Sequence, residues 1–366
     1  MLYLFSLLIP KSKKYVIIGG WYGERYADNS RALYEYLEEN KSSLGIKKVF
    51  WYTKNKGIYE MIVDKGGDAL FGINLKSIFW HLRSKVHIID QGTRDIIGIL
   101  SVRCIRINLW HGVPLKKIGN YLRPGGASWK KKFRVAGMWD DSYILATSEY
   151  IGKLLTIAMG TREEYCLVAS YPRNRDLYKI NNEYSDNDEF KVFYLPTYRY
   201  EKDVNPILNC DLVEWDNRLR ENNIVLYIKP HYASLDYWKV SSEFSNIHIM
   251  DSSEDVYDML KCTNLLITDY SSVYFDYMIT RRPILFFPYD LDRYENIERG
   301  FVMPYEENTP GKKVFEGAEV IDEIIYIKNN YEKYNNIYME RYEEVLKKVN
   351  KYSDSEDYSD ILKFWK

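Results

Sequence analysis

The chain has 366 residues, of which 46% are hydrophobic, and 51 Lys and Arg balance 52 Asp and Glu to give a formal net charge of -1. This length favours two domains, and the hydrophobic content excludes a chain that is disordered throughout. The near-neutral charge argues against a nucleic-acid-binding protein, which normally carries a strong basic excess. The four cysteines form no C-x-x-C motif, so neither a zinc ribbon nor a redox pair is indicated, and reduced thiols in a cytoplasmic protein are expected.

The N-terminal residues 1–10 are apolar, but they are about half of the ~20 residues that a membrane-spanning helix needs. Lys11, Lys13 and Lys14 follow this run, whereas the positive charges of a signal peptide precede its apolar stretch. We therefore predict neither export nor a transmembrane span. A short segment at the membrane interface and an ordinary packed first helix both fit the pattern.

Short apolar, β-branched runs alternate with helix-like stretches along the chain. These runs lie at 15–18, 49–52, 86–89, 105–110, 143–146, 192–195, 224–228, 265–267 and 284–287. Strands that are apolar on both faces and alternate with helices predict parallel sheets covered on both sides. The polar stretch 179–189 separates two series of runs, and the helical spacing after about residue 320 predicts closing helices.

The pattern predicts an α/β fold of two doubly wound domains, 1–185 and 186–366. Sheets of this kind bind their ligands at the carboxyl ends of the strands, so we expect a site in a cleft between facing domains. No P-loop motif is present, and Gly19, Gly20 and Gly23 have the spacing of a tight turn rather than of a dinucleotide-binding loop. No H-x-x-x-H pair occurs, and we predict no metal and no other cofactor.

Two of the five histidines follow predicted strands. His111 comes directly after the run 105–110, and His231 follows the run 224–228 and Lys229. A lone histidine is more often structural, but two at matched strand ends, one in each predicted domain, favour a catalytic pair. Imidazole titrates near neutral pH, so it can take a proton from a hydroxyl or bind a phosphate oxygen.

The second predicted domain carries features that suit a phosphate. A hydroxyl-rich turn with Ser271 and Ser272 follows the run 265–267 and leads into a helix-like stretch. Either serine could cap this helix, whose N-terminus would receive a phosphate, and a plain N-cap is the alternative. Arg199 follows the run 192–195 and could bind two phosphate oxygens or form a surface salt bridge.

A basic segment, defined here as residues 115–134, contains no Asp or Glu. Its charged residues and interleaved aromatic residues are Lys116, Lys117, Tyr121, Arg123, Trp129, Lys130, Lys131, Lys132, Phe133 and Arg134. This composition suits an anionic membrane surface or a polyanionic chain, and each cation near such a membrane contributes roughly 1 kcal/mol. A solvated loop is the alternative.

Five motifs occur in order along the chain. They are Leu-Trp-His-Gly-Val-Pro-Leu-Lys-Lys-Ile-Gly at 109–119, Tyr-Leu-Pro-Thr-Tyr-Arg at 194–199, Lys-Pro-His at 229–231, Thr-Asp-Tyr-Ser-Ser-Val-Tyr-Phe-Asp-Tyr at 268–277 and Arg-Gly-Phe at 299–301. Together they resemble the CDP-glycerol:poly(glycerophosphate) glycerophosphotransferase family, the primases and polymerases of wall teichoic acid and related capsules. Asp28-Asn29 and the turn 171–174 also fit, although Arg175 stands where the family usually has an acid.

The resemblance implies a glycosyltransferase-B type of fold, with 1–185 as the acceptor-binding, membrane-facing domain and 186–366 as the CDP-polyol-binding domain. It implies transfer of a polyol phosphate from a CDP-polyol to a hydroxyl of a lipid-linked acceptor, with release of CMP, by a peripheral protein at the cytoplasmic face of the membrane. The family's two histidines fall on His111 and His231. Its donor-binding residues fall on Thr197, Arg199, Lys229, Asp269, Ser271, Ser272 and Arg299.

Our mechanistic hypothesis has His111 as the general base, while His231, Arg199 and the serine-rich helix start hold the diphosphate. The sequence leaves open which histidine is the base, glycerol or ribitol as the polyol, one transfer or many, and a teichoic acid or capsule acceptor. Two alternatives are a nucleotide-sugar glycosyltransferase of the same fold and a catalytically silent, membrane-associated partner in cell-envelope polymer synthesis.

Overall fold

The computed structural model describes residues 8–122, 142–180, 189–199, 205–230, 244–251 and 254–365, together with Ser6 and Trp238. The chain divides into two compact units. Unit 1 comprises Met1–Gly112, Gly119–Arg175 and Asn350–Lys366, and unit 2 comprises Val113–Ile118 and Asp176–Val349.

Unit 1 is built on a seven-stranded sheet. Its strands are β1 Ser12–Ile18, β2 Lys48–Thr53, β3 Asp68–Phe71, β4 Ser84–Ile89, β5 Ile105–Asn108, β6 Ser142–Ala146 and β7 Cys166–Val168. They lie in the order β3-β2-β1-β4-β5-β6-β7 with parallel pairing. Val16, Ile17 and Ile18 of β1 are all buried, as expected of a central strand whose two faces are both covered.

Unit 2 is built on a six-stranded sheet. Its strands are β8 Phe190–Leu195, β9 Ile224–Ile228, β10 Ile247–Ile249, β11 Leu265–Thr268, β12 Ile284–Phe286 and β13 Lys312–Lys313. They lie in the order β10-β9-β8-β11-β12-β13, again with parallel pairing. Its core joins strand residues such as Val192 and Leu226 to helix residues such as Trp215 and Ile324.

The helices carry local signals that explain their bounds. They are α1 Asp28–Asn40, α2 Lys56–Asp64, α3 Leu75–Arg83, α4 Glu149–Met159, α5 Leu212–Glu221, α6 Val256–Cys262, α7 Val273–Tyr277, α8 Leu291–Arg293, α9 Tyr305–Asn308, α10 Gly317–Asn329, α11 Tyr331–Val349 and α12 Ser359–Leu362. Asn55, Asn74 and Ser148 cap α2, α3 and α4 by accepting a backbone N–H of the first turn. Gly160 ends α4 in the left-handed conformation.

The two sheets share one strand order around their first strand. In unit 1 the order reverses between β1 and β4, and in unit 2 it reverses between β8 and β11. This is the doubly wound arrangement, whose ligands bind beyond the carboxyl ends of the strands at the point of reversal. The predicted α/β class with two doubly wound domains is confirmed.

Three stretches group differently from a single boundary after residue 185, one of them because the long part of unit 2 begins at Asp176. Val113–Ile118 belongs to unit 2, because the Lys117 N–H donates to the Gly300 carbonyl at 3.1 Å. Asn350–Lys366 belongs to unit 1, where the Ser170 N–H donates to the Asp357 carbonyl at 2.8 Å. Such long-range pairings leave no mark in local sequence patterns.

No helix in the described parts of the chain is both long and apolar enough to cross a bilayer. The apolar N-terminal residues 1–5 and Leu7 lie outside those parts. All four cysteines are free thiols.

Candidate active site

His111 lies in a turn that follows β5 in unit 1. The strand ends at Asn108, two residues before the end of the predicted run, and the Asn108 side chain accepts the Trp110 N–H at 2.9 Å. Trp110 adopts a φ of 57°, a left-handed conformation that cannot continue a strand. The imidazole of His111 lies beside the Trp110 indole, with ring centroids 4.0 Å apart, and the residue is exposed.

The backbone of this turn is held by the first residues of α1 and by the turn at 172–174. The Asn29 amide donates to the Trp110 carbonyl at 2.9 Å and accepts the Arg173 N–H at 3.2 Å. The Arg173 Nη1 donates to the His111 carbonyl at 3.1 Å and to Asp28 at 2.6 Å. The Arg173 and Asp28 side chains are 6% and 10% exposed, so this ion pair is largely shielded from water. The carbonyls of Trp110 and His111 are therefore both fixed.

Buried carboxyl groups lie at the point of reversal in unit 1, at positions that were not among the predicted site residues. Asp90 follows β4 directly and accepts the Ser30 hydroxyl at 2.5 Å and the Trp21 N–H at 3.1 Å. Burial raises the pKa of Asp90 to about 8, and the Asp28 and Asp95 carboxylates add to the effect. Its place directly after a buried strand was the available sequence signal.

The glycine turn after β1 fits closely around this carboxyl cluster. A Cβ on Gly20 would lie 2.7 Å from Oδ2 of Asp90, so a larger residue would displace the carboxyl group. Tyr22 has a φ of 58° and donates its N–H to Asp95 at 2.7 Å. The structure thus contains a tight turn at Gly19–Gly23.

Thr197 and Asp269 lie at the point of reversal in unit 2. Thr197 follows β8 and Asp269 follows β11, and the Thr197 N–H donates to both carboxylate oxygens at 2.9 and 3.0 Å. The Thr197 hydroxyl is buried and has no hydrogen-bond partner within the described residues. Two residues from the predicted donor site therefore meet where a doubly wound sheet binds its ligand.

Arg199 is buried among carboxylates and aromatic rings. Its side chain is 4% exposed and pairs with Asp269 at 2.9 Å and with Asp290 at 2.6 Å. Its guanidinium lies 4.8 to 5.2 Å from the ring centroids of Tyr270, Tyr289 and Tyr294. Burial alone would lower the pKa of Arg199, but the two carboxylates outweigh it and raise this pKa above its usual value. The surface salt bridge weighed in the sequence analysis is thus a buried network.

The prediction that a serine side chain caps the helix after β11 is wrong. Ser272 precedes α7 with φ of -69° and ψ of -3°, and its side chain makes no capping hydrogen bond. A capping side chain needs an extended backbone, which Ser272 does not have. Ser271 and Ser272 are both half-buried, and they follow Asp269 closely in the sequence.

Lys229 and Arg299 are half-buried, and the structure gives each one a backbone partner. The Lys229 ammonium donates to the Asp251 carbonyl at 2.5 Å, and Nε of Arg299 donates to the Lys117 carbonyl at 3.2 Å. Several predicted site residues lie outside the described residues, namely His231, Arg123, Trp129, Lys130, Lys131, Lys132 and Arg134.

Lys116 and Lys117 open the basic segment, and the structure places both in unit 2. Lys116 is half-buried and forms an antiparallel bridge with Phe301, whereas Lys117 is exposed.

Within the described ranges, no group of three or more His, Cys, Asp or Glu residues could hold a metal ion.

A family model described as CDP-Glycerol:Poly(glycerophosphate) glycerophosphotransferase matches residues 1–364. The chain is 28% identical over 355 residues to a teichoic acid poly(glycerol phosphate) polymerase of Bacillus spizizenii, covering 90% of this chain and 87% of the relative. It is 26% identical over 379 residues to a teichoic acid glycerol-phosphate primase of Bacillus subtilis, covering 97% of this chain and 92% of the relative.

Among solved structures, the wall teichoic acid polymerase TagF has the same fold. It superposes with a TM-score of 0.73 at 24% sequence identity, covering 97% of this chain and 88% of that one.

Proposed function

Because this chain belongs to the CDP-glycerol:poly(glycerophosphate) glycerophosphotransferase family, we propose that His111 is the general base of its transfer reaction. The family match confirms the predicted family and enzyme class, so the chain is a glycerophosphotransferase that uses CDP-glycerol in teichoic acid synthesis. The assignment of roles to particular residues is our proposal.

In the proposed reaction, the oxygen of an acceptor hydroxyl attacks the phosphorus nearest the glycerol. A new P–O bond forms, the bond from this phosphorus to the bridging oxygen breaks, and CMP leaves with that oxygen. The imidazole of His111 takes the hydroxyl proton. A positioned general base typically contributes about 10²–10⁴ in rate.

The geometry around His111 carries this assignment. Its side chain is exposed, while the peptide that bears it is fixed through the carbonyls of Trp110 and His111. An accessible imidazole on a held backbone can meet an acceptor hydroxyl without first ordering the turn, which lowers the entropic cost of reaching a reactive geometry.

We assign the donor to unit 2, at the carboxyl ends of β8 and β11. Thr197, Lys229, Ser271, Ser272 and Arg299 supply hydroxyl, ammonium and guanidinium donors around the diphosphate. Arg199 and Asp269 act as positioning residues, because the Arg199 donors are taken up by Asp269, Asp290 and the Thr197 carbonyl. His231 would stabilise the charge that develops as CMP leaves.

We further propose that the acceptor is lipid-linked and that the protein works at the cytoplasmic face of the membrane. The support is compositional: the basic segment carries cations and aromatic residues without any acid. Such a stretch suits an anionic lipid surface.

The test is an assay with CDP-glycerol labelled in its glycerol and a teichoic acid acceptor. We expect label in the polymer and one CMP for each glycerol phosphate transferred. UDP- and GDP-sugars in parallel reactions should release no nucleoside diphosphate. Sugar transfer with no CMP release would favour a glycosyltransferase and overturn the proposal, and lipid binding with no donor binding would indicate a catalytically silent partner.

A further inference from the structure

We propose that Lys116 is a ligand of the donor diphosphate, so that the first residues of the basic segment serve the donor site of unit 2. The inference rests on the proposed function, because it takes CDP-glycerol as the donor. It departs from the sequence analysis, which assigned Lys116 to a membrane or acceptor surface.

The backbone around Lys116 is fixed to unit 2 by strand-like pairing. The Val302 N–H donates to the Leu115 carbonyl at 2.8 Å, and the Lys117 N–H donates to the Gly300 carbonyl at 3.1 Å. These two bonds flank the bridge between Lys116 and Phe301, which makes that bridge a non-hydrogen-bonded antiparallel pair. Because successive side chains of a strand point to opposite faces, Lys116 is half-buried while Lys117 is exposed.

The partner residue Phe301 anchors this strand pair beside Asp269. Its ring lies 5.6 Å from the Tyr270 ring and 5.1 Å from the Tyr305 ring, measured between centroids. The Tyr305 hydroxyl donates to the Asp269 carbonyl at 2.9 Å. An aromatic contact and a hydrogen bond therefore link the position opposite Lys116 to the residue that follows β11.

The charges around Lys116 leave a local positive excess. The ionised groups that act on its ammonium are Asp269, Arg299 and Arg199. Asp269 is already paired with Arg199, and Arg199 is also paired with Asp290. One guanidinium between two carboxylates carries a net charge of -1, so Lys116 and Arg299 together bring the cluster to +1. A diphosphate supplies the negative charge that this cluster lacks.

Burial supports this picture and predicts a pH dependence. It lowers the pKa of Lys116 to about 8, with Arg299 and Arg199 lowering it further and Asp269 opposing them. The ammonium is charged below this pKa and neutral above it, so affinity for a diphosphate should fall as the pH rises through about 8. The Thr197 hydroxyl, which follows β8 and has no hydrogen-bond partner within the described residues, offers a further donor to a phosphate oxygen.

The first experiment compares the binding of cytidine, CMP and CDP to wild type and to Lys116→Met by titration calorimetry. We expect the CDP affinity to fall roughly 10- to 100-fold, the range for a lost hydrogen bond to a charged group, and the cytidine affinity to stay unchanged. Lys313→Met is the matched control, because Lys313 is another half-buried lysine of unit 2 and pairs with Glu306 at 3.1 Å. It should bind CDP like wild type. Unchanged CDP affinity in Lys116→Met, or equal losses for cytidine and CDP, would overturn the inference.

The second experiment keeps a charge at position 116 and therefore does not depend on how well the methionine variant folds. Between pH 7 and pH 9, wild type should lose CDP affinity, whereas Lys116→Arg should show a much smaller loss because its guanidinium stays charged. Identical pH profiles would contradict the inference. If wild type releases CMP and Lys116→Met still binds CDP normally, the role of Lys116 is rejected and the proposed function stands. If wild type releases no CMP, the proposed function itself is rejected.

Discussion

At the scale of single residues, Arg199 shows how a cation near the proposed donor site can be held by carboxylates, which leaves it a positioning role in our proposal. Its guanidinium lies between Asp269 and Asp290, and the Asp269 carboxylate in turn receives the Thr197 N–H. The ion pair between Arg199 and Asp269 fixes the ends of β8 and β11 relative to each other. Removing one member of such a buried pair would leave an uncompensated charge, which costs far more than the pair itself contributes.

Two buried histidines of unit 1 should make the protein sensitive to acid. His81 and His87 are fully buried, and the His81 Nε2 accepts the Ile97 N–H at 3.2 Å, which requires a neutral ring. Burial lowers the pKa of His81 to about 4. The unfolded chain has an ordinary histidine pKa, so it binds more protons between the two values and stability must fall as the pH drops through that window.

We predict that His81→Gln removes the part of this dependence that His81 contributes and leaves the part that His87 contributes. The difference in unfolding free energy between wild type and variant should shrink by about 3 kcal/mol from pH 7 to pH 4, as the shift of the pKa requires. Urea denaturation at both pH values measures it. A constant difference would show that His81 is protonated as readily in the folded protein as in the unfolded chain.

The sequence allowed us to predict which candidate site residues follow strands, but not which side chains pair with each other. His111, Thr197 and Asp269 all lie just beyond strand ends, as the alternation of apolar runs indicates. Asp290 was missed, although it follows β12, because only the fold brings it to Arg199 at 2.6 Å.

At the scale of elements, the turn after β5 depends on α1 and on the turn 172–174. The Asn29 amide and the Arg173 guanidinium hold the carbonyls of Trp110 and His111, which belong to the two peptide groups on either side of the His111 Cα. Losing either group would free a turn that contains a left-handed residue. The side chain of His111 would then sample more positions, with fewer of them reactive.

We therefore predict that Asn29→Ala and Arg173→Lys lower kcat while leaving the KM for CDP-glycerol nearly unchanged. A misplacement of about 1 Å can cost roughly 10²-fold in rate, so we expect a loss of about 10- to 100-fold. Arg175→Lys is the matched control, since Arg175 lies two residues on and pairs with Glu39 at the surface. Steady-state kinetics should show a normal Arg175→Lys enzyme. Equal losses in all three variants would point to general destabilisation of the turn instead.

Central strands could be predicted from the sequence, whereas four short strands could not. The unpredicted strands are β3, β7, β10 and β13, and all four lie at an edge of their sheet. A strand with one neighbour needs fewer apolar residues, and β13 consists of Lys312–Lys313 alone. The early end of β5 was also unpredictable, because it depends on the hydrogen bond that the Asn108 side-chain oxygen accepts from the Trp110 N–H.

At the scale of the whole molecule, two units with one strand order divide the work that we propose. His111 belongs to unit 1, and Thr197, Asp269 and Lys116 belong to unit 2. The two-domain class followed from the apolar runs, but the assignment of Val113–Ile118 to unit 2 did not. That assignment depends on hydrogen bonds to residues 300–302, far along the chain.

The most direct test of the proposed division is a comparison of donor binding and transfer in His111→Ala, with His248→Ala as the matched control. His248 is exposed in β10 and has no role in the proposed reaction. Calorimetry would measure CDP-glycerol binding, and rapid-quench single-turnover assays would measure transfer. We predict that His111→Ala binds CDP-glycerol within about threefold of wild type but transfers about 10²–10⁴ times more slowly, while His248→Ala is normal in both. Transfer by His111→Ala at close to the wild-type rate would contradict the account.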